Sequence, residues 1–210
     1  MTRNASWAPL RLATLGLTAL ALSGCISLLP KTKPAQLYSF APAPAAKVAA
    51  PAPGGVAVFR SNGQFQEEAS DDRILTVIGG KAAYIADTRW VAPAETLFNE
   101  AVANAFDASP IRLIARGQQG RFGYALRIDV RSFEARYDHG AKAPPTVVVH
   151  IHAALTKADQ TGVGEQDFEA SAPASDNRVT AIVAAFRKAT DEAIGKLVTW
   201  TEANATQPTA

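Results

Sequence analysis

The sequence predicts an α+β fold: a single domain, mainly antiparallel sheet, with two amphipathic helices packed on one face. Three observations lead there. Apolar residues alternate through Phe122, Tyr124, Leu126, Ile128 and Val130, and again through Val147, Val149, Ile151, Ala153 and Leu155. That is the period of half-buried strands. Two other stretches repeat at helical spacing: Leu97 to Phe106, and Val179 to Val198. At 210 residues with 48% apolar composition, the chain is long enough for one ordinary domain and a short extension.

The N-terminus reads as a bacterial secretion signal covering residues 1–24. Arg3 and Arg11 carry positive charge, and no acidic residue occurs before Glu67. The apolar run from Leu12 to Leu22 has 11 residues, well short of the roughly 20 needed to span a bilayer. Leu22-Ser23-Gly24-Cys25 follows and looks like a lipobox, the recognition sequence of bacterial lipoproteins. Small residues at 23 and 24 admit the extended backbone to a peptidase groove. The Cys25 thiol can take a diacylglycerol thioether, and cleavage before it frees an amine for an N-acyl chain. These covalent lipids are the only modifying groups implied; no other cofactor is expected. The alternative is an ordinary signal peptide with an accidental cysteine. Against it, Cys25 is the sole cysteine of the chain and stands where the motif requires it. Two or three acyl chains hold a protein on a membrane where one gives only marginal binding.

Residues 25–36 carry Pro30, Pro34 and two lysines without apolar periodicity, as a solvated tether would. Gln36 to Phe40 is a short strand-like island, expected to join the domain at a sheet edge. A Pro/Ala-rich loop at 41–54 favours extended polyproline-II backbone. The folded region is expected over 37–202, with 203–210 a flexible tail.

Gly55 to Arg60 reads as the next strand. Arg73–Ile78 and Lys81–Ala86 flank Gly79-Gly80, a two-residue link suited to a tight hairpin. Pro93 opens a helix, where its missing N–H costs nothing. Its apolar face is Leu97, Phe98, Ala101, Val102, Ala105 and Phe106, and it stops at Asp107 to Pro110. A strand at 111–116 leads into a three-strand meander: the two alternating segments above and a third strand near 165–171. The last helix runs from about Asn177 to Glu202, with Ser175 or Asp176 placed to cap it. Its apolar stripe is read as core, with a homo-oligomer contact as the alternative.

Removing residues 1–24 leaves 19 basic against 19 acidic residues, so the net +2 of the whole chain belongs to the export signal. A neutral domain gives no electrostatic case for nucleic-acid binding. The sequence has no Gly-x-Ser-x-Gly elbow, Walker-type loop or His-Glu-x-x-His, so nothing points to catalysis. His150 and His152 share a strand face and, with His139, suggest metal; the expectation is no metal, since no acid or cysteine accompanies them at ligand spacing. Arg112, Arg116, Arg121, Arg127 and Arg131 lie in a stretch with Asp129 as its one acid. A solvated strand face and a lipid-headgroup or acidic-partner surface are both open readings of them. Arg89 and Trp90 form either a partner-binding hot spot or, for the tryptophan, core packing under the following helix.

The lipobox, the early Tyr38-Ser39-Phe40 strand, Arg89-Trp90 before a Pro-started helix, the meander and the long final helix together resemble the ABC-type transport auxiliary lipoprotein component family, near the paraquat-inducible-protein C type. The resemblance covers roughly residues 36–200. It implies a non-enzymatic subunit of a lipid transport system, partnered by a periplasmic substrate-binding protein of the mammalian-cell-entry (MCE) class and, through it, by an ABC permease and ATPase. Ile26-Ser27 after the cysteine, in place of Asp, implies the periplasmic face of the outer membrane. Other readings are a structural lipoprotein assisting outer-membrane assembly and a lipid-tethered periplasmic hydrolase.

Overall fold

The structure is a computed structural model that describes residues 34–41 and 55–206. The signal segment, the lipobox residues Leu22, Ser23, Gly24 and Cys25, most of the tether and nearly all of the Pro/Ala loop lie outside the described residues. A compact unit begins at Ala35.

Its frame is three long antiparallel strands: β7 (Tyr124–Arg136), β8 (Thr146–Lys157) and β9 (Gly162–Pro173). This is the expected meander, and β7 runs six residues beyond the Val130 at which the alternation ends. A bulge between Val130 and Ser132 explains why. One extra residue, Arg131, breaks the period of two, and Phe133 and Ala135 then return to the buried face.

The free edge of β7 is covered by short strands laid end to end. β2 (Ala57–Arg60) pairs with its first residues and β3 (Leu75–Ile78) with its last, both parallel to it; Phe65 bridges Val130 between them. β6 (Arg112–Ile114) adds to β2 in parallel, and β4 (Lys81–Tyr84) closes a hairpin on β3. Gly79 and Gly80 both take positive φ there, as the Gly-Gly link predicts. The fold is α+β as expected, but the sheet is mixed. Parallel neighbours come from distant parts of the chain, which no local pattern announces.

β1 (Gln36–Tyr38) does not extend this sheet. It pairs in parallel with β5 (Thr88–Trp90) as a separate two-stranded ribbon. The helices α1 (Ala94–Asp107) and α2 (Val179–Asn204) bury their apolar stripes against the face carrying Leu126, Ile128, Val130, Val149, Ile151 and Phe168. Pro93 stands just before α1, as expected. At α2 the expected cap is not used: Arg178 occupies the N-cap position without a side-chain hydrogen bond, and Asp176 pairs with Arg178 instead. Phe122, placed by alternation on the buried face, precedes β7 and is half-exposed, stacked on Phe59. Residues 203–206 are held to the domain, where the sequence suggests a flexible tail from 203; 207–210 lie outside the described residues. α2 reaches Asn204, Ala205 is buried, and Tyr124 Oη donates to the Thr206 carbonyl at 2.6 Å.

Phe133 sits at the centre of the core, its ring 4.9 Å from both Phe40 and Phe186 and 5.5 Å from Phe65. Each such aromatic pair adds about 0.5–1.5 kcal/mol beyond the burial of its surface.

Candidate partner-binding face

The β1/β5 ribbon sorts its residues by alternation. Thr88 and Trp90 turn inward and are buried, while Arg89 turns out. Trp90 is 2% exposed and packs edge-on against Phe40 (4.9 Å, 80°) and Phe186 (5.3 Å, 84°). It is a core residue, and no partner reaches it at this surface; of the two readings of the Arg-Trp pair, packing is the one its position supports.

The outward face is a small exposed patch. Leu37 and Arg89 are register partners on adjacent strands, so their side chains stand side by side. Leu37 is 65% exposed and Val91, next along the chain from Trp90, is 56% exposed. Arg89 is held 3.6 Å from Asp72 by an ion pair open to water. Backbone bonds fix the ribbon: Gln36 N–H donates to Asp87 O at 2.9 Å, and Val91 N–H to Tyr38 O at 2.8 Å. Three named large apolar residues stand exposed among the described residues, and two of them flank this arginine. Arginine is enriched at interface centres, and exposed apolar side chains beside it add surface that a partner can bury. Sequence reasoning picked Arg89 but missed Leu37 and Val91. Their signal was an apolar residue on the outward parity of strands only three residues long.

The histidines are better accompanied than the sequence suggested. His150 and His152 lie on the sheet face away from the helices, and β9 brings two acids to them. His150 Nε2 is 2.9 Å from Asp167 Oδ1, and Arg131 Nη1 reaches the same oxygen at 2.9 Å. His152 Nδ1 is 3.3 Å from Asp167 Oδ2 but out of line for a hydrogen bond; its Nε2 is 3.6 Å from Glu165. Partial desolvation pushes the Asp167 carboxyl up, but the contacts with His150 and His152 and the charge of Arg131 outweigh it and hold the group below its usual value. Acids spaced along β9 become neighbours of β8 only through pairing. Asp167 is used as an acceptor by groups on both other strands, and among the described residues no three His, Cys, Asp or Glu side chains converge as a metal would require. His139 lies exposed in the β7–β8 turn.

The five clustered arginines differ in their partners. Arg127 pairs with Asp129 and Arg131 with Asp167; Arg116 donates to Asn62 at 3.0 Å, and Arg112 and Arg121 are exposed. No helix of the described residues is long and apolar enough to cross a membrane.

The described unit coincides with a known family. Residues 38–197, from the last residue of β1 into α2, match the ABC-type transport auxiliary lipoprotein component. The chain belongs to this family. Among solved structures, the auxiliary lipoprotein is similar to protein XCC0632 from Xanthomonas campestris, at 26% identity and a TM-score of 0.65, over 80% of this chain and 96% of that one. It shares its fold with an uncharacterized protein at 9% identity and a TM-score of 0.63, covering 80% of this chain and 99% of that one. The hypothetical protein CT253 from Chlamydia trachomatis matches at 7% identity and a TM-score of 0.50, over 72% and 98%. No curated protein matches the auxiliary lipoprotein in sequence.

Proposed function

We propose that this auxiliary lipoprotein is a non-catalytic subunit of an MCE-type ABC lipid transport system. Acyl chains on Cys25 hold it at the periplasmic face of the outer membrane. Its β1/β5 face meets the periplasmic MCE-class substrate-binding protein, and through that the permease and ATPase.

The observation that carries the reading is the Leu37–Arg89–Val91 patch, in which Leu37 stands on β1, the strand next to the tether, and Arg89 on its pairing partner β5. The twelve residues from Cys25 to Gln36 span eleven Cα–Cα steps, at most about 40 Å when fully extended. A partner bound at β1 is thereby kept close to the membrane in which Cys25 is anchored. Transport needs such an arrangement: each CH₂ of an acyl chain exposed to water costs about 0.8 kcal/mol, so a continuous apolar path must end at a fixed place on the receiving membrane. A tethered binding domain supplies that fixed place without chemistry of its own.

Co-purification tests it. The full chain, solubilised in a neutral maltoside detergent, should retain the MCE-class subunit through gel filtration. Recovery of the lipoprotein free of that subunit, from cells that express both, would sink the reading.

A further inference from the structure

Among the described residues β9 pairs with β8 alone, so it ends the sheet with one edge free. Two carbonyls of that edge are taken by side chains: Gln166 Nε2 donates to Asp167 O at 3.3 Å, and Lys196 Nζ to Glu169 O at 2.9 Å. Alternate residues of a strand turn their backbone groups to the same edge, so Glu165, Asp167, Glu169 and Ser171 direct their N–H and C=O groups outward. Pro173 has the same parity but no N–H, and it closes the open stretch. An edge of this length is a ready template for another strand.

A groove of about 700 Å³ runs beside this edge, between Gln166–Glu169 of β9 and the Gly195–Ala203 stretch of α2. Trp200, half-buried, meets Phe168 edge-on at 5.8 Å, and together they give the groove an apolar wall. Gly195, Thr199 and Ala203 beside it are small and exposed, which leaves the approach to the edge clear. Lys196 reaches across, and it also pairs with Glu192 at 2.8 Å. It can therefore release the Glu169 carbonyl and keep its ion pair. An added strand would find backbone partners on β9 and, at every second residue, an apolar seat against Phe168 and Trp200.

Charge decides what kind of strand fits. Glu165, Asp167 and Glu169 form an acidic row on the sheet face away from the helices. Asp167 is engaged by Arg131 and His150. Among the described residues Glu165 has His152 alone as a cationic neighbour within 4 Å, and Glu169 has none. A second copy paired antiparallel about Asp167 would set Glu165 opposite Glu169 and Asp167 opposite itself, and like charges directly opposite destabilise a pair. Basic side chains at those positions would gain an ion pair instead. We propose that the β9 edge binds an extended segment of a partner protein as an additional strand, with Lys or Arg facing the acidic row and apolar residues between them facing Phe168 and Trp200. The site uses none of the residues of the β1/β5 patch and does not rest on the transport reading.

The probe is a fluorescein-labelled Lys-Val-Lys-Val-Lys-Val-Lys peptide, titrated by anisotropy into the full chain in maltoside detergent. Saturable binding is expected. Glu165→Lys/Glu169→Lys, at two exposed positions, should bind more than threefold more weakly. Glu100→Lys/Asp107→Lys changes the net charge equally at exposed positions of α1 and should bind within threefold of the wild type. N-methylated peptides separate strand pairing from charge alone, because only every second peptide N–H faces β9. Methylating one alternate set of nitrogens should abolish binding, and methylating the other should not. The proposal is overturned by absence of saturable binding to the wild type, by Glu165→Lys/Glu169→Lys binding within threefold of it, by an equal loss in the α1 variant, or by an equal response to the two methylation patterns. A wild type that is dimeric on gel filtration and does not bind the peptide assigns the edge to a second copy, and overturns it as well.

Discussion

Phe40 meets Trp90 edge-on with ring centroids 4.9 Å apart, which clamps the strand nearest the tether to the centre of the core. Both rings are nearly or fully buried, and Trp90 continues the contact to Phe186 of α2. The β1/β5 ribbon has only two short strands, too few for independent stability. This aromatic contact is what fixes it to the domain, and with it the outward patch of Leu37 and Arg89.

Replacing Trp90 with Ala removes that clamp. Large-to-small changes of a buried aromatic cost about 3–5 kcal/mol. Urea unfolding should show a loss of that size. A loss below about 1 kcal/mol would mean that the ribbon is held by its backbone bonds alone.

Gly63→Ala tests the close approach of the 61–65 segment to β7. The new methyl group meets the Ile128 carbonyl, a backbone atom that cannot swing aside. We expect destabilisation of about 2 kcal/mol, typical of overpacking, with loss of protection at the amides of Gln64 and Val130 in hydrogen exchange. Ser61→Ala, in the same segment, should change stability little.

Asp167 predicts how stability responds to acid. Its carboxyl is held below the usual value in the folded chain, so it contributes stability above its unfolded pKa and loses that contribution as pH falls through the folded one. Melting temperature should fall on acidification below about pH 4, where carboxylates ordinarily titrate. Asp167→Asn should be less stable at neutral pH and should show a shallower fall. An unchanged acid limb in the variant would remove the cluster from the account.

Cys25→Ala tests the anchor. Without the thiol no diacylglycerol can be attached, and the mutant chain should leave the membrane fraction. Continued association with membranes would show that something other than covalent lipid holds it.

The legible parts of the fold were those governed by local periodicity. Tyr124 to Val130 and Val147 to Leu155 announced their strands because one face is buried and one is wet. The stripes of α1 and α2 were equally plain. The bulge at Arg131 hid the second half of β7, since a single inserted residue reverses the phase that the alternation relies on. Parallel pairing of β2 and β3 with β7 had no local signal, because the partners are brought together by the tertiary fold. The same limit governed the sites. Arg89 stood out as a residue type, whereas its neighbour Leu37 lies 52 positions away in sequence and becomes adjacent only through the β1/β5 register. Asp167 and Glu165 reached the histidines through β8–β9 pairing, and the groove beside β9 exists only once α2 packs against the sheet.

The central claim is that the ribbon face binds the MCE-class subunit, and a binding titration of the Leu37→Ser/Arg89→Glu variant tests it most directly. Leu37 is exposed, and the Arg89 pair with Asp72 that the variant replaces by like charges is open to water, so the variant should melt within about 4 °C of the wild type. Its affinity for the purified substrate-binding subunit should fall at least tenfold, by the loss expected when central interface residues are removed. Equal affinity of the variant and the wild type, at matched stability, would contradict the account.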